Sequence, residues 1–189
     1  QEKNIIEDHP DVVLMMREKL YSWWDNVKDL ANKPQRIIIG SKYENPTKLS
    51  ATEWLDVFID QQRQILRGVQ KSGYWLLNVE TAGKYEIHLR RWPKETKGMI
   101  SGTLPNGEGV ALPITQAMLY VSGHNHLDID KKKAYQFEGL TKHVTEKDQE
   151  ATFTMNLNKG PCALHTWFKG EKNTMLSAYY VYIERKKNK

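Results

Sequence analysis

Three groups of residues in this chain have types and spacings that could do chemistry. The first is His124-Asn125-His126-Leu127-Asp128-Ile129-Asp130. In a strand, His124 and His126 would share a face, with imidazoles close enough for one ion. Ser122-Gly123 precedes the string and Lys131-Lys132-Lys133 follows it, which places it in a solvated turn beside three opposing charges. No metal site is assigned to it. The second group is Cys162 and His165, three residues apart in one strand and so on opposite faces. They cannot form a thiol–imidazole couple. The third is Arg90-Arg91-Trp92 with Trp75, flanked by Tyr74 and Trp167. Flat rings can stack on the C–H face of a pyranose, and a guanidinium fork can take an anion in two parallel bonds. Arg90, Arg91, Trp92 and Trp75 are therefore the candidate substrate-binding residues. No catalytic residues are assigned, because the carboxylates are scattered and no Ser-His-Asp set can be read from spacing.

These residues need elements to position them. In Tyr85-Glu86-Ile87-His88-Leu89-Arg90, apolar and polar residues alternate, as in a half-buried strand. Arg91 is in phase with the apolar set, so its charge points inward and needs a partner, a carboxylate such as Glu184. Trp92 is in phase with Glu86 and His88 and is the ring expected at the surface. Ala82-Gly83 reads as the turn that joins this strand to Tyr74–Glu80 in a hairpin.

Phe153, Met155 and Leu157 alternate with Thr152, Thr154 and Asn156. Further strands are expected at 37–39, 63–67, 110–121, 164–168 and 176–184, with 41–50 as a polar loop. Ser50-Ala51-Thr52-Glu53 has the form of a capping box. Strands at this spacing, with no alternation of strand and helix after residue 60, predict an antiparallel β-sandwich. Its inner face should hold Phe153, Met155, Leu157, Tyr85, Ile87 and Leu89. Before it, residues 10–30 read as an amphipathic helix. Pro10 suits its first turn, and Val13, Met16, Leu20, Trp23, Trp24 and Val27 form one apolar stripe.

Composition bounds the function. The chain has 189 residues, 39% hydrophobic and 27% charged, with a mean hydropathy of −0.68, which suits one domain plus an appendage. No apolar run approaches the ~20 residues of a membrane span, and no basic-then-apolar leader opens the sequence. The single cysteine excludes an internal disulfide. The net charge of +5 comes largely from Lys131-Lys132-Lys133 and the tail Arg185-Lys186-Lys187-Asn188-Lys189. These runs read as solvated, with a polyanion such as a sulfated glycan as the sharper possibility. Nucleic acid is not expected, since the aromatics lie at core spacing and not along a basic stripe.

The wording of Gly73–Pro93, with its Gly-Tyr-Trp opening and its Leu-Arg-Arg-Trp-Pro ending, resembles a region near the C-terminus of secreted bacterial arylsulfatases. Residues 2–13 followed by Trp23-Trp24 look like the helix that closes a sulfatase catalytic domain. Gly160-Pro161, Leu164, Thr166-Trp167-Phe168 and residues 178–185 look like the family's final strands. The resemblance implies a helix at 1–34 that closes the catalytic region and a C-terminal domain at 35–189, jelly-roll-like and similar to carbohydrate-binding modules. The family's nucleophile is a Cys or Ser in a C/S-x-P/A-x-R motif, converted to formylglycine beside calcium. The residues around Cys162 do not supply that motif. The resemblance thus implies a non-catalytic accessory domain of a secreted or periplasmic sulfatase, with formylglycine and calcium in a separate catalytic domain. That domain would be its partner, and a sulfated glycan a further one. The alternative is an autonomous carbohydrate-binding module.

Overall fold

The structure is a computed structural model and describes residues 4–31, 33–57, 59–123 and 139–186. The His124–His126 string and Lys131-Lys132-Lys133 lie outside the described residues. The chain divides into two compact units, Gln1–Gln35 and Arg36–Lys189.

The first unit carries helix α1, Pro10–Ala31. Proline at its first position lacks only an N–H that would have no helical acceptor, and Lys28 in its last turn complements the helix dipole. None of its residues is buried: Leu20 is 56% exposed and Trp23 58%.

The second unit is a sandwich of two sheets of the jelly-roll kind. Its elements are β1 (Ile37–Ile39), β2 (Thr47–Ser50), α2 (Gln62–Leu66), β3 (Tyr74–Val79), β4 (Gly83–Arg90), β5 (Ile114–Ser122), β6 (Leu140–His143), β7 (Ala151–Leu157), β8 (Gly160–Gly170), β9 (Met175–Leu176) and β10 (Tyr180–Arg185). One sheet runs β1-β3-β8-β5-β6 with β9 beside β8, and the other runs β2-β10-β4-β7. All pairings are antiparallel except β1 with β3.

The core forms where the two inner faces meet. Tyr85, Ile87, Leu89, Phe153 and Leu157 from one sheet join Trp75, Leu77, Val79, Leu164 and Phe168 from the other, and Met155 packs at the margin. The period-2 pattern of β4 and β7 therefore does what the sequence predicts of it.

Four local expectations are corrected. Residues 63–67 lie largely in helix α2, because the short apolar run Ile65-Leu66 suits either element. Part of the expected loop at 41–50 is β2, whose Thr47 and Leu49 point into the core. β6 was not anticipated from the sequence. Finally, β3 and β4 do not form a hairpin: they lie in opposite sheets, so Thr81-Ala82 and Gly83 make a corner that crosses the sandwich. The same holds for β7 and β8. The capping box is retained in part, with the Glu53 carboxylate accepting from the Ser50 N–H at 2.7 Å at the head of a 3-10 turn, Ala51–Glu53.

Candidate functional site

The C-terminal ends of β2 and β4 and the start of β10 meet at one end of the second sheet, where Tyr180 pairs with both Ser50 and Arg90. Beyond them the chain forms a cavity of about 230 Å³. Thr52 comes from the turn after β2, Ile59 to Gln62 from the lead into α2, Trp92, Pro93 and Thr96 from the segment after β4, and Tyr180 from β10. The Ile59 N–H donates to the Ala51 carbonyl at 3.2 Å and pins the α2 lead against the turn that carries Thr52. Thr96 Oγ1 donates to the Pro93 carbonyl at 2.7 Å and tightens the opposite wall.

Trp92 lines this cavity yet is only 1% exposed. Its indole N–H donates to the Met99 and Gly102 carbonyls at 3.0 and 3.2 Å. The Arg91 guanidinium lies over its ring at 4.5 Å, a cation–π contact. Gly109, at φ +86°, brings backbone against the ring edge, where a Cβ would stand 2.5 Å from Trp92 Cη2. Only glycine allows this approach and this backbone angle together. Trp92 is thus locked in place, a buried ring that backs the cavity with almost none of its surface open. It is the floor of a pocket, and the surface ring expected from its strand phase is corrected: the loop at 98–110 folds over it.

The other three sequence candidates are buried structural groups. Arg91 is fully buried and donates to the Ile100 and Gly102 carbonyls at 3.4 and 3.2 Å and to the Val110 carbonyl. It gathers the loop that covers Trp92. Burial lowers its pKa to about 10, with the Tyr179 phenol opposing that shift, so the cation persists at neutral pH. The carboxylate partner expected for it is replaced by carbonyls. Arg90 is 2% exposed and donates to Glu150 at 2.7 Å and to the Trp92 carbonyl at 3.3 Å. Trp75 donates to the Ser50 carbonyl at 2.9 Å and meets Trp54 edge-on. As a set, Arg90, Arg91, Trp92 and Trp75 do not form an exposed platform. Only Trp92 reaches a cavity.

The rim was not found from the sequence. Thr52, Asp60, Gln61 and Gln62 are exposed and converge with Thr96 and Tyr180 on the cavity. The run Asp60-Gln61-Gln62, directly after an apolar stretch, was the available signal. Burial raises the Tyr180 phenol's pKa, with Tyr182 and Glu95 adding to the shift, so Tyr180 is a neutral hydroxyl.

Two other clusters have structural explanations. Glu86, His88 and Glu184 bring ligand atoms within 4.8 Å of one another. The Lys186 ammonium sits 2.9 Å from Glu86 and 3.2 Å from Glu184, in the place a cation would take. On β8, Cys162 faces the core, where burial raises its thiol to about 11 and leaves it unreactive.

His165 faces the other way, stacked on Tyr74 at 5.0 Å and on Trp167 at 5.9 Å. Its Nε2 has no hydrogen-bond partner among the described residues. Burial lowers its pKa to about 4, with Asp56 opposing that shift. The unfolded chain takes up this proton below about 6.5 and the folded chain only below about 4. Stability should therefore be full above pH 6.5 and fall by about 3 kcal/mol as the pH drops towards 4. Urea midpoints measured across that range should show the slope in the native chain and its loss in His165→Phe. An equal slope in both would assign it to other groups.

No protein-family model and no curated protein sequence matches this chain. Among solved structures, a ruminal GH26 endo-β-1,4-mannanase is similar at 11% identity and a TM-score of 0.39, over 77% of this chain and 27% of that one. The CBM35 from Cellvibrio japonicus Abf62 is similar at 10% identity and a TM-score of 0.36, over 75% of this chain and 88% of that one. A family 35 carbohydrate binding module from Clostridium thermocellum is similar at 13% identity and a TM-score of 0.31, over 74% and 88%.

Proposed function

We propose that the sandwich is a carbohydrate-binding domain that seats one sugar residue in the cavity floored by Trp92. The observation that carries this reading is the make-up of that cavity. A fixed indole and the apolar side chains of Ile59, Ile65 and Leu104 meet a ring of hydroxyl, amide and carboxylate groups. A pyranose presents the complementary pattern, with C–H groups for the apolar wall, where the half-buried Tyr180 ring keeps accessible surface, and hydroxyls for the rim. On this reading the site binds a sugar and does no bond chemistry.

Its test is a panel of monosaccharides and short oligosaccharides titrated into the whole chain and followed by calorimetry and by amide shifts. Binding should perturb amides around residues 59–62, 92–96 and 180. Gln61 and Gln62 are exposed, so the double change to alanine should leave the fold intact. It should weaken binding up to about tenfold, as loss of one or two hydrogen bonds does. Binding that ignores these residues would place the sugar elsewhere and sink the reading.

A second reading is favoured by the unburied stripe of α1. It makes the chain an accessory domain of a secreted or periplasmic sulfatase, braced on a catalytic domain through that stripe. Large contiguous apolar patches on a soluble domain mark interaction sites. On this reading ester hydrolysis belongs to the catalytic domain, with formylglycine and calcium there. The chain by itself should then fail to turn over an aryl sulfate, with or without added calcium. Turnover that survives repurification would overturn it.

A further inference from the structure

We infer that the Trp92 cavity selects uncharged sugars and discriminates against sulfated and carboxylated ones; this rests on the carbohydrate reading above. Asp60 carries the only acidic or basic side chain among the described residues that line the cavity. The remaining polar groups, Thr52, Gln61, Gln62, Thr96 and Tyr180, are neutral, and among the described residues no lysine or arginine lines the site.

A sulfate or carboxylate on the ligand would meet the Asp60 carboxylate with no cation among the described lining residues to offset it. The Lys48 ammonium, over the Tyr180 ring at 5.5 Å, lies outside the lining. Asp60 is exposed, so water and salt screen this repulsion, but its sign is set against an anionic ligand. The two guanidiniums nearest in sequence to the floor cannot serve instead. Arg90 is committed to Glu150 at 2.7 Å, and Arg91 is buried among three carbonyls. The chain's net charge of +5 draws polyanions towards the molecule in general, but the local charge of the cavity has the opposite sign. The Asp60 carboxylate can accept hydrogen bonds only, so it fits a hydroxyl or an amide N–H of a neutral sugar.

The test compares matched pairs on the whole chain: galactose with galactose 6-sulfate, and N-acetylglucosamine with its 6-sulfate. Of each pair the neutral sugar should bind at least about tenfold more tightly at low salt, and the gap should narrow at high salt. Asp60→Asn should close most of the gap by improving the sulfated sugar. Asp60 is exposed, and an unchanged melting temperature in the variant confirms that the fold is kept. Equal or tighter binding of the sulfated member at residues 59–62 overturns the charge selectivity while leaving the carbohydrate reading intact. Binding of neither member of any pair overturns the carbohydrate reading itself.

Discussion

Replacing Arg91 by alanine is expected to cost about 3–5 kcal/mol of folding stability and to abolish ligand binding at the Trp92 cavity. The side chain is fully buried, so its removal leaves a void where the guanidinium stood. The carbonyls of Ile100, Gly102 and Val110 lose their donor, and each buried acceptor left unpaired costs about 1–3 kcal/mol unless water enters. The loop at 98–110 then loses the group that draws it together, and with it the cover over the Trp92 ring. Lysine should not restore the wild-type state, since a single ammonium cannot reproduce a planar fork aimed at three separate oxygens. Urea unfolding followed by tryptophan fluorescence measures the first effect and calorimetry with a neutral sugar the second. An Arg91→Ala protein within about 1 kcal/mol of wild type would show that the carbonyls are satisfied by other means.

Leu89→Ala should cost on the order of 2–5 kcal/mol, as deletion of a buried leucine side chain does. Leu89 has no exposure and stands in the middle of its sheet, between Val181 of β10 and Ala151 of β7. Its neighbours are held by ladders on both sides, and Ala151 is too small to move into the space, so the upper part of that range is expected. The urea midpoint should fall while the slope of the transition stays constant, because the surface exposed on unfolding is nearly unchanged. A change in slope would mean that the sandwich no longer unfolds as one unit. Because Leu89 is remote from Asp60 and Gln61 in the chain and does not line the cavity, sugar affinity in the folded variant should be preserved. That sets it apart from Arg91→Ala, in which stability and binding fall together.

Much of the sandwich could be read from residue order because its signals are local. Alternation along Tyr85–Arg90 and Thr152–Leu157 follows from the two-residue period of a strand, and each inner face it marks is buried apart from Met155, which is half-buried at the margin. The span of α1 follows from Pro10 and from the three- and four-residue steps of its stripe. The capping signal at Ser50–Glu53 needs only four residues and is present as expected in its Glu53 half.

Tertiary structure decided what depends on distant partners. Glycine after Ala82 marks a reversal, but the same turn chemistry serves a hairpin within one sheet and a corner between two. Only the pairing of β3 with β8 and of β4 with β7 and β10 separates these outcomes. The phase of Arg91 correctly turned it inward, yet its partners are carbonyls 9 to 19 residues away in sequence, in a loop whose path no local pattern specifies. The same loop buries Trp92, which strand phase alone would place in water. The rim of the cavity is drawn from four segments between Thr52 and Tyr180, each unremarkable by itself. Hydrophobic periodicity reports which side of an element is buried, whereas a binding site is set by which ends of several elements meet, and that is fixed by packing between segments far apart in the chain.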